Sequence, residues 1–248
     1  MRVFSLLFAL ACAALWLTPA LAFAGSEAGW QQRPHAVLRL TAAALEQAGN
    51  PAPWAAVELK LEPGWKIYWR SPGGAGIPTT FDWSGSENLR NAETRWPWPK
   101  RARIWNVDTL GYGGQVMFPV ALDLHDPAAP TVLHVRVAYG VCREICVRDE
   151  AVLTLKVEPG DWSRAAEAER IRAALATVPD PGSEAALRVR HAVVEDGRLC
   201  VDAESEEPAV APDLFVEGPA GLRFGPTVAT IGDDRRQVRF EVPVHGTT

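Results

Sequence analysis

The sequence predicts an all-β protein: an antiparallel sandwich, then one linking helix and a second, smaller β-rich segment. Three observations carry that expectation. Apolar and polar residues alternate with period two over many short stretches, Gly and Pro punctuate those stretches, and a single stretch has helical periodicity. Val57, Leu59 and Leu61 alternate with Glu58 and Lys60, and Trp65, Ile67 and Trp69 alternate with Lys66, Tyr68 and Arg70. Val116, Phe118, Val120, Leu122 and Leu124 share one face, as do Leu133, Val135, Val137 and Tyr139, and Leu153, Leu155 and Val157 continue the pattern. Alternation of this kind predicts one buried and one wet face per sheet. Pro119 falls on the polar side of its strand, which predicts an edge position.

The helix is expected in "RAAEAERIRAALA", residues 164–176, with Asp161 or Ser163 as its cap. Trp162, Ala165, Ile171, Leu175 and Val178 form a partial apolar stripe, and "PDPG" at 179–182 ends the helix and opens a linker. Beyond it, "VRHAVVEDGRLCVDAE" predicts a hairpin turning at Asp196-Gly197, and "DLFVEG" and "RQVRFEVPV" predict further strands. With about 60 residues, this segment is at the low end of what folds alone on buried apolar surface. It is therefore expected to pack on the first sandwich, and it also reads as an incomplete copy of a larger one. The expected boundaries are 1–24 for a signal peptide, 25–160 for the first sandwich, 161–186 for helix and linker, and 187–248 for the second segment.

Targeting bounds the chemistry. Arg2, an apolar run from Val3 to Leu17, Pro19 and the small-x-small steps Ala20-Leu21-Ala22 and Ala22-Phe23-Ala24 have the layout of a secretory signal. A lipoprotein signal through Cys12 is the weaker rival, because Ala rather than Leu stands three residues before that cysteine. No other stretch reaches the length of a membrane span, so no membrane insertion is expected after signal removal. Losing Arg2 leaves 24 basic against 30 acidic residues, a net charge of −6. That charge argues against a nucleic-acid footprint. Three cysteines remain, Cys142, Cys146 and Cys200, in an exported chain where disulfides can form.

Cys142 and Cys146 lie in "YGVCREICV". On one straight strand their Cα atoms would be roughly 13 Å apart, well beyond disulfide reach, so bonding requires a bend. The flanking strands place that bend at a hairpin tip, although a helical turn would serve as well. A loop of about four residues yields only about 2 kcal/mol of chain-entropy stabilisation. Stapling is thus a weak reason for the pair, and a short exposed ring is a candidate for a labile, exchanging bond. Arg143 and Arg148 favour a thiolate, while Glu144, Asp149 and Glu150 oppose it. An inert hairpin-tip disulfide stays open as the alternative. A zinc site lacks a second ligand pair, copper lacks a Met- or His-rich tract, and C-x-x-C-H haem attachment is absent, so no cofactor is expected. Cys200, on a predicted strand, reads as a small buried hydrophobe.

"YGVCREICVRDEAVLTL" resembles the cysteine hairpin of the periplasmic N-terminal domain of DsbD-type thiol:disulfide interchange proteins, and most of all the branch linked to suppression of copper sensitivity. "GWKIYWRSPGGAGIPTTFDW", "WPWPKR", "GYGGQVMFPVAL" and "DLFVEGPAGLRFGP" are similar to further blocks of that branch, in the same order, over most of residues 30–245. The resemblance implies an immunoglobulin-like sandwich whose cysteines cycle between dithiol and disulfide in the periplasm. It implies a membrane-embedded thiol reductase as electron donor and thioredoxin-like periplasmic proteins as acceptors. By the same resemblance Cys146 attacks and Cys142 resolves. A loop that caps the cysteines in the family has its counterpart in "RARIWNVDT", 101–109, where Trp105 is the candidate shield; plain core packing is the alternative for that ring. Tyr139, the aromatic residue of the motif, is a second candidate shield, and Arg143, Arg148 and Asp149 are candidates for tuning the thiolate. Full-length members carry transmembrane helices and a thioredoxin-like domain, which this sequence does not show. The expectation is therefore a module to which a separate protein supplies the electrons, or a truncated gene product.

Two other functions compete. Eight tryptophans between Trp30 and Trp105 could line a glycan- or peptide-binding sandwich with a structural disulfide, against core filling as the plainer account. Copper handling is suggested by the family branch alone. Hydrolase motifs such as G-x-S-x-G and H-E-x-x-H are absent.

Overall fold

The structure is a computed structural model that describes residues 29–73, 75–104, 107–179, 187–219 and 221–246; the signal peptide expected at 1–24 and most of the 179–186 linker lie outside them. Eleven strands form the first unit: β1 Gln31–Arg33, β2 Ala36–Gln47, β3 Asn50–Leu61, β4 Lys66–Gly73, β5 Thr80–Asp82, β6 Leu89–Thr94, β7 Lys100–Ile104, β8 Val107–Gly113, β9 Gln115–Leu124, β10 Thr131–Cys142 and β11 Cys146–Val157. They make two antiparallel sheets. One has the order β1-β2-β3-β9-β6; the other has β11-β10-β4-β8-β7, with β5 added on β10. The alternating residues meet between them. Leu38, Leu40, Val57, Leu59, Phe118 and Val120 of the first sheet pack against Leu133, Val135, Val137, Tyr139, Leu153 and Leu155 of the second, all buried. This is an immunoglobulin-like β-sandwich, with the period-two pattern as its cause.

Strand approach within the second sheet is set locally by glycine. Gly111 lies opposite Tyr68 in the β4–β8 pair, and a Cβ there would overlap the carbonyl oxygen of Ile67. Backbone cannot swing aside as a side-chain tip can. Gly111→Ala is therefore expected to cost about 3 kcal/mol, the upper end of overpacking penalties, measured as a drop in the urea unfolding midpoint.

Four expectations need correction. Pro119 does not mark an edge strand, because β9 is flanked by both β3 and β6. The proline is tolerated because the β6 ladder ends at Thr94↔Val120, and beyond it Arg95 N donates to the Pro119 carbonyl at 2.7 Å. In an antiparallel strand the N and C=O of one residue face the same neighbour, so the missing N–H falls where β6 has already left the sheet.

The first sheet does not keep a wet outer face throughout. The helix α1, Ala165–Leu175, lies on it and buries Ala43, Leu45, Trp54 and Ala56 against Ala168 and Ile171. Small alanines on β2 and β3 allow that approach.

The helix itself is not capped as expected. A 3₁₀ turn, Pro159–Trp162, takes up Asp161 and is anchored by buried Trp162; the N-cap is Arg164, with no side-chain cap bond. Ala168 is buried where Ala165 was expected, and Ala165 is exposed.

The remaining strands are β12 Arg188–Glu195, β13 Arg198–Glu204, β14 Arg223–Phe224, β15 Val228–Ile231 and β16 Gln237–His245, in the order β12-β13-β16-β14 with β15 also on β16. The predicted turn is present. Asp196 (φ 48°) and Gly197 (φ 71°) both adopt the left-handed conformation that a two-residue hairpin demands. "DLFVEG", by contrast, is not a strand. Residues 213–218 run in extended coil against the first sandwich. Arg101 donates to both Asp213 oxygens (2.6 and 2.7 Å) and to the Leu214 carbonyl (2.8 Å), and Arg70 pairs with Glu217 at 2.6 Å. Phe215 sits between Trp69 and Trp98, at ring distances of 6.3 and 6.1 Å. The segment's polar and aromatic residues find partners across the interface, which explains why their alternation is not spent on a sheet.

Candidate functional site

The hairpin β10–β11 positions the cysteines. Its register runs unbroken from Thr131↔Val157 to Cys142↔Cys146, so the two cysteines form the closing pair above the three-residue tip Arg143-Glu144-Ile145. Residues directly opposite in an antiparallel ladder have Cα atoms close enough for a disulfide. Cys142 and Cys146 are bonded, with Cα atoms 4.2 Å apart. The tip is closed by Arg143 N donating to the Ile145 carbonyl at 3.0 Å.

The two sulfur-bearing residues differ in access. Cys142 is 1% exposed, whereas Cys146 is half-buried beside Ile145, which is 62% exposed. Tyr68, two residues along β4 from Lys66, the cross-strand partner of Cys142, places its hydroxyl 3.3 Å from Cys146 Sγ. Its ring is held by the glycine-rich loop that follows β4. A Cβ on Gly76 (φ +131°) would fall 2.6 Å from the Tyr68 ring, and one on Gly140 would fall 2.7 Å from Ile77. Both positions require glycine so that the 75–78 loop can lie flat over Tyr68 and the end of β10. Thr79 Oγ1 donates to the Tyr68 carbonyl at 2.6 Å and fixes the loop's far end.

The other residues predicted for the site are distributed around this centre. Tyr139 is 1% exposed and faces the sandwich interior, where its hydroxyl donates to Asp149 at 2.9 Å. Asp149 also accepts from Arg33, at 3.1 Å from Nε. Burial pushes the Asp149 carboxyl up, but Arg33, the Glu150 N–H and Tyr139 outweigh it and hold it below the ordinary carboxylate range. Burial likewise pushes the Tyr139 phenol up, so it stays neutral. Across the ladder Tyr139 pairs with Asp149, one step out of phase with Cys142 and Cys146, so this pair lies on the sheet's opposite face from the sulfurs. Arg143 extends beside Gly64, and Arg148 is exposed on the sulfur face. Arg148 borders a groove of about 610 Å³ that Ile77, Pro78 and Ala138 also line. Trp105 lies outside the described residues. Cys200 is buried and unpaired in β13.

Sequence reasoning missed Tyr68, Gly76 and Arg33. Alternation placed Tyr68 on a polar face, and only the run of glycines at 73–76 signalled that something packs closely there. The tryptophans are mostly structural. Trp54 and Trp69 are buried, Trp96 packs on Phe81 and Phe118, and Trp65 stacks on His35 at 3.6 Å. Among the described residues, Trp98 alone of the tryptophans is largely exposed. No cluster of three or more potential metal ligands occurs among the described residues, and none of their helices is long and apolar enough to cross a membrane.

An immunoglobulin-like sandwich with a buried and a half-buried cysteine, bonded at a hairpin tip, has the form of a thiol–disulfide exchange domain. Comparison with protein families agrees. Residues 36–158 match the family described as thiol:disulfide interchange protein DsbD, N-terminal, and this part of the chain is a domain of that family. Residues 177–248 match a domain of unknown function, DUF8393. Among solved structures, the N-terminal periplasmic domain of ScsB from Proteus mirabilis has the same fold, with a TM-score of 0.72 and 23% identity over 90% of this chain and 86% of that one. A comparison with curated proteins found no match.

Proposed function

We propose that the chain is a periplasmic thiol:disulfide interchange module. Electrons from a membrane-embedded thiol reductase reduce the Cys142–Cys146 bond, and the resulting dithiol reduces thioredoxin-like periplasmic proteins. The observation that carries this reading is the asymmetry of the pair: half-buried Cys146 bonded to Cys142, which is 1% exposed. A donor thiolate attacks Cys146 Sγ, the sulfur–sulfur bond breaks, and Cys142 leaves as the thiolate. The donor's second thiol then displaces Cys146 and closes the donor's own disulfide. In the forward transfer the Cys146 thiolate attacks an acceptor disulfide, and Cys142 resolves the mixed disulfide by re-forming the intramolecular bond. Arg148, on the sulfur face, and Arg143, in the tip, supply positive charge toward the thiolate; Asp149, engaged with Arg33 and Tyr139, supplies rigidity to the hairpin base. The 25–160 sandwich carries the exchange, and the 187–248 segment is a second unit clamped to it through Arg70 and Arg101.

Redox titration tests this directly. Equilibration with glutathione or dithiothreitol buffers is expected to give a potential above about −300 mV, in the range of exchanging rather than structural disulfides. A value well below that figure would return the bond to the role of a staple.

A further inference from the structure

The geometry points to Tyr68 as a positioning residue for exchange: its hydroxyl holds the Cys146 sulfur and stabilises that sulfur as the thiolate. This rests on the exchange reading above and deepens it. The Tyr68 hydroxyl is 3.3 Å from Cys146 Sγ. A disulfide sulfur has no proton, so in the oxidised protein the phenol donates and the sulfur accepts. The residue is 4% exposed, and its ring has little freedom beneath Gly76. The hydroxyl therefore cannot turn to bulk water when the disulfide opens. Burial also pushes the phenol's pKa up, so the donor keeps its proton.

On reduction the same sulfur becomes a thiol or thiolate. A fixed O–H donor is charge-assisted when its acceptor is an anion, and a hydrogen bond to the charged form lowers the acid's pKa. The charged groups near Cys146 do not decide this alone. Lys66 on β4, Arg143 and Glu144 in the tip, and Arg148 and Glu150 on β11 carry both signs, and Arg143, Glu144, Arg148 and Glu150 are exposed. Tyr68 thus distinguishes Cys146 from Cys142. Cys146 leaves as a stabilised thiolate when the donor closes its own disulfide, and the same thiolate is held in place to attack the acceptor. Tyr68 itself neither gains nor loses electrons, and its proton stays on the phenol oxygen.

The test uses the full chain with Cys142→Ala, so that Cys146 is the thiol followed. Alkylation by iodoacetamide is measured against pH, with the Cys146 peptide read by mass spectrometry to separate it from Cys200. Adding Tyr68→Phe is expected to raise the midpoint by about one pH unit, which is about a tenfold loss of thiolate at neutral pH. Greater intrinsic nucleophilicity returns part of that, so attack on oxidised glutathione at pH 7 is expected to slow about threefold. An unmoved midpoint in a variant whose circular dichroism and unfolding midpoint match the parent would overturn the proposal. Should Tyr68→Phe fail to fold, 3-fluorotyrosine at position 68 keeps the hydroxyl and sharpens its acidity. It is expected to lower the midpoint, and a midpoint that stays or rises counts against the assignment. Neither readout needs a protein partner. A chain that exchanges with no thioredoxin-like protein would still show the Tyr68 shift, and loss of the shift would leave exchange intact.

Discussion

Cys146→Ala is expected to abolish covalent complexes with thioredoxin-like proteins, whereas Cys142→Ala is expected to accumulate them. The reason is access and order. A partner sulfur is expected to engage half-buried Cys146, while Cys142 is 1% exposed and bonded to its neighbour. Without Cys146 no mixed disulfide forms. Without Cys142 it forms and cannot be resolved, so it persists until an outside thiol cleaves it. Both variants should fold, because closing a loop of about four residues contributes only about 2 kcal/mol. The measurement is non-reducing electrophoresis and mass spectrometry of periplasmic extracts expressing each variant. Complexes formed equally by both, or by Cys146→Ala alone, would reverse the assignment of roles.

Glu58→Ala is expected to cost about 3 kcal/mol of folding stability, at the low end for breaking a buried ion pair, since one partner is partly wet. Glu58 is fully buried on β3, in a position that alternation assigned to the polar face. It accepts from Arg39 Nε at 2.7 Å, from Arg170 of α1 and from Gln115. The Arg170 side chain is 31% exposed and the Arg39 side chain 12%, so the cluster is sealed mainly at the carboxylate. Burial pushes the Glu58 carboxyl up, and the two guanidinium groups outweigh burial and hold it below its ordinary value. A depressed folded-state pKa contributes stability that is fully present above the unfolded value of about 4.3 and is lost as pH falls through the folded one. Urea unfolding at pH 7 should therefore separate Glu58→Ala from the parent clearly, and the gap should narrow near pH 3. Asp149 contributes in the same direction, so the parent's acid limb does not vanish in the variant. A gap that stays constant from pH 7 to pH 3 would show that lost packing, not the carboxylate, is responsible.

Much of the first sandwich was legible because burial between two sheets imposes period two on every strand. Val57, Leu59, Phe118, Val135 and Leu153 each occupy the face their alternation predicts. The Asp196-Gly197 turn was legible because few residue pairs accept two left-handed conformations. The cysteine hairpin was legible for a third local reason: alternating stretches on both sides of the pair placed the bend between them, and three residues separate the strands. Pro119, the helix cap and "DLFVEG" were misread. In each case the deciding neighbour lies far along the chain: the end of β6, the outer face of β2 and β3, and the pair Arg70 and Arg101.

The division has one physical basis. Alternation, turn chemistry and short-range spacing act within a dozen residues, so the sequence alone determined most of the strands, the hairpin and the cysteine pair at its tip. Close approach between distant segments is not written in any local period. Only the tertiary structure placed Tyr68 on the Cys146 sulfur under the Gly76 loop, buried Cys142 while leaving Cys146 half-buried, and buried Glu58 between two arginines from different elements.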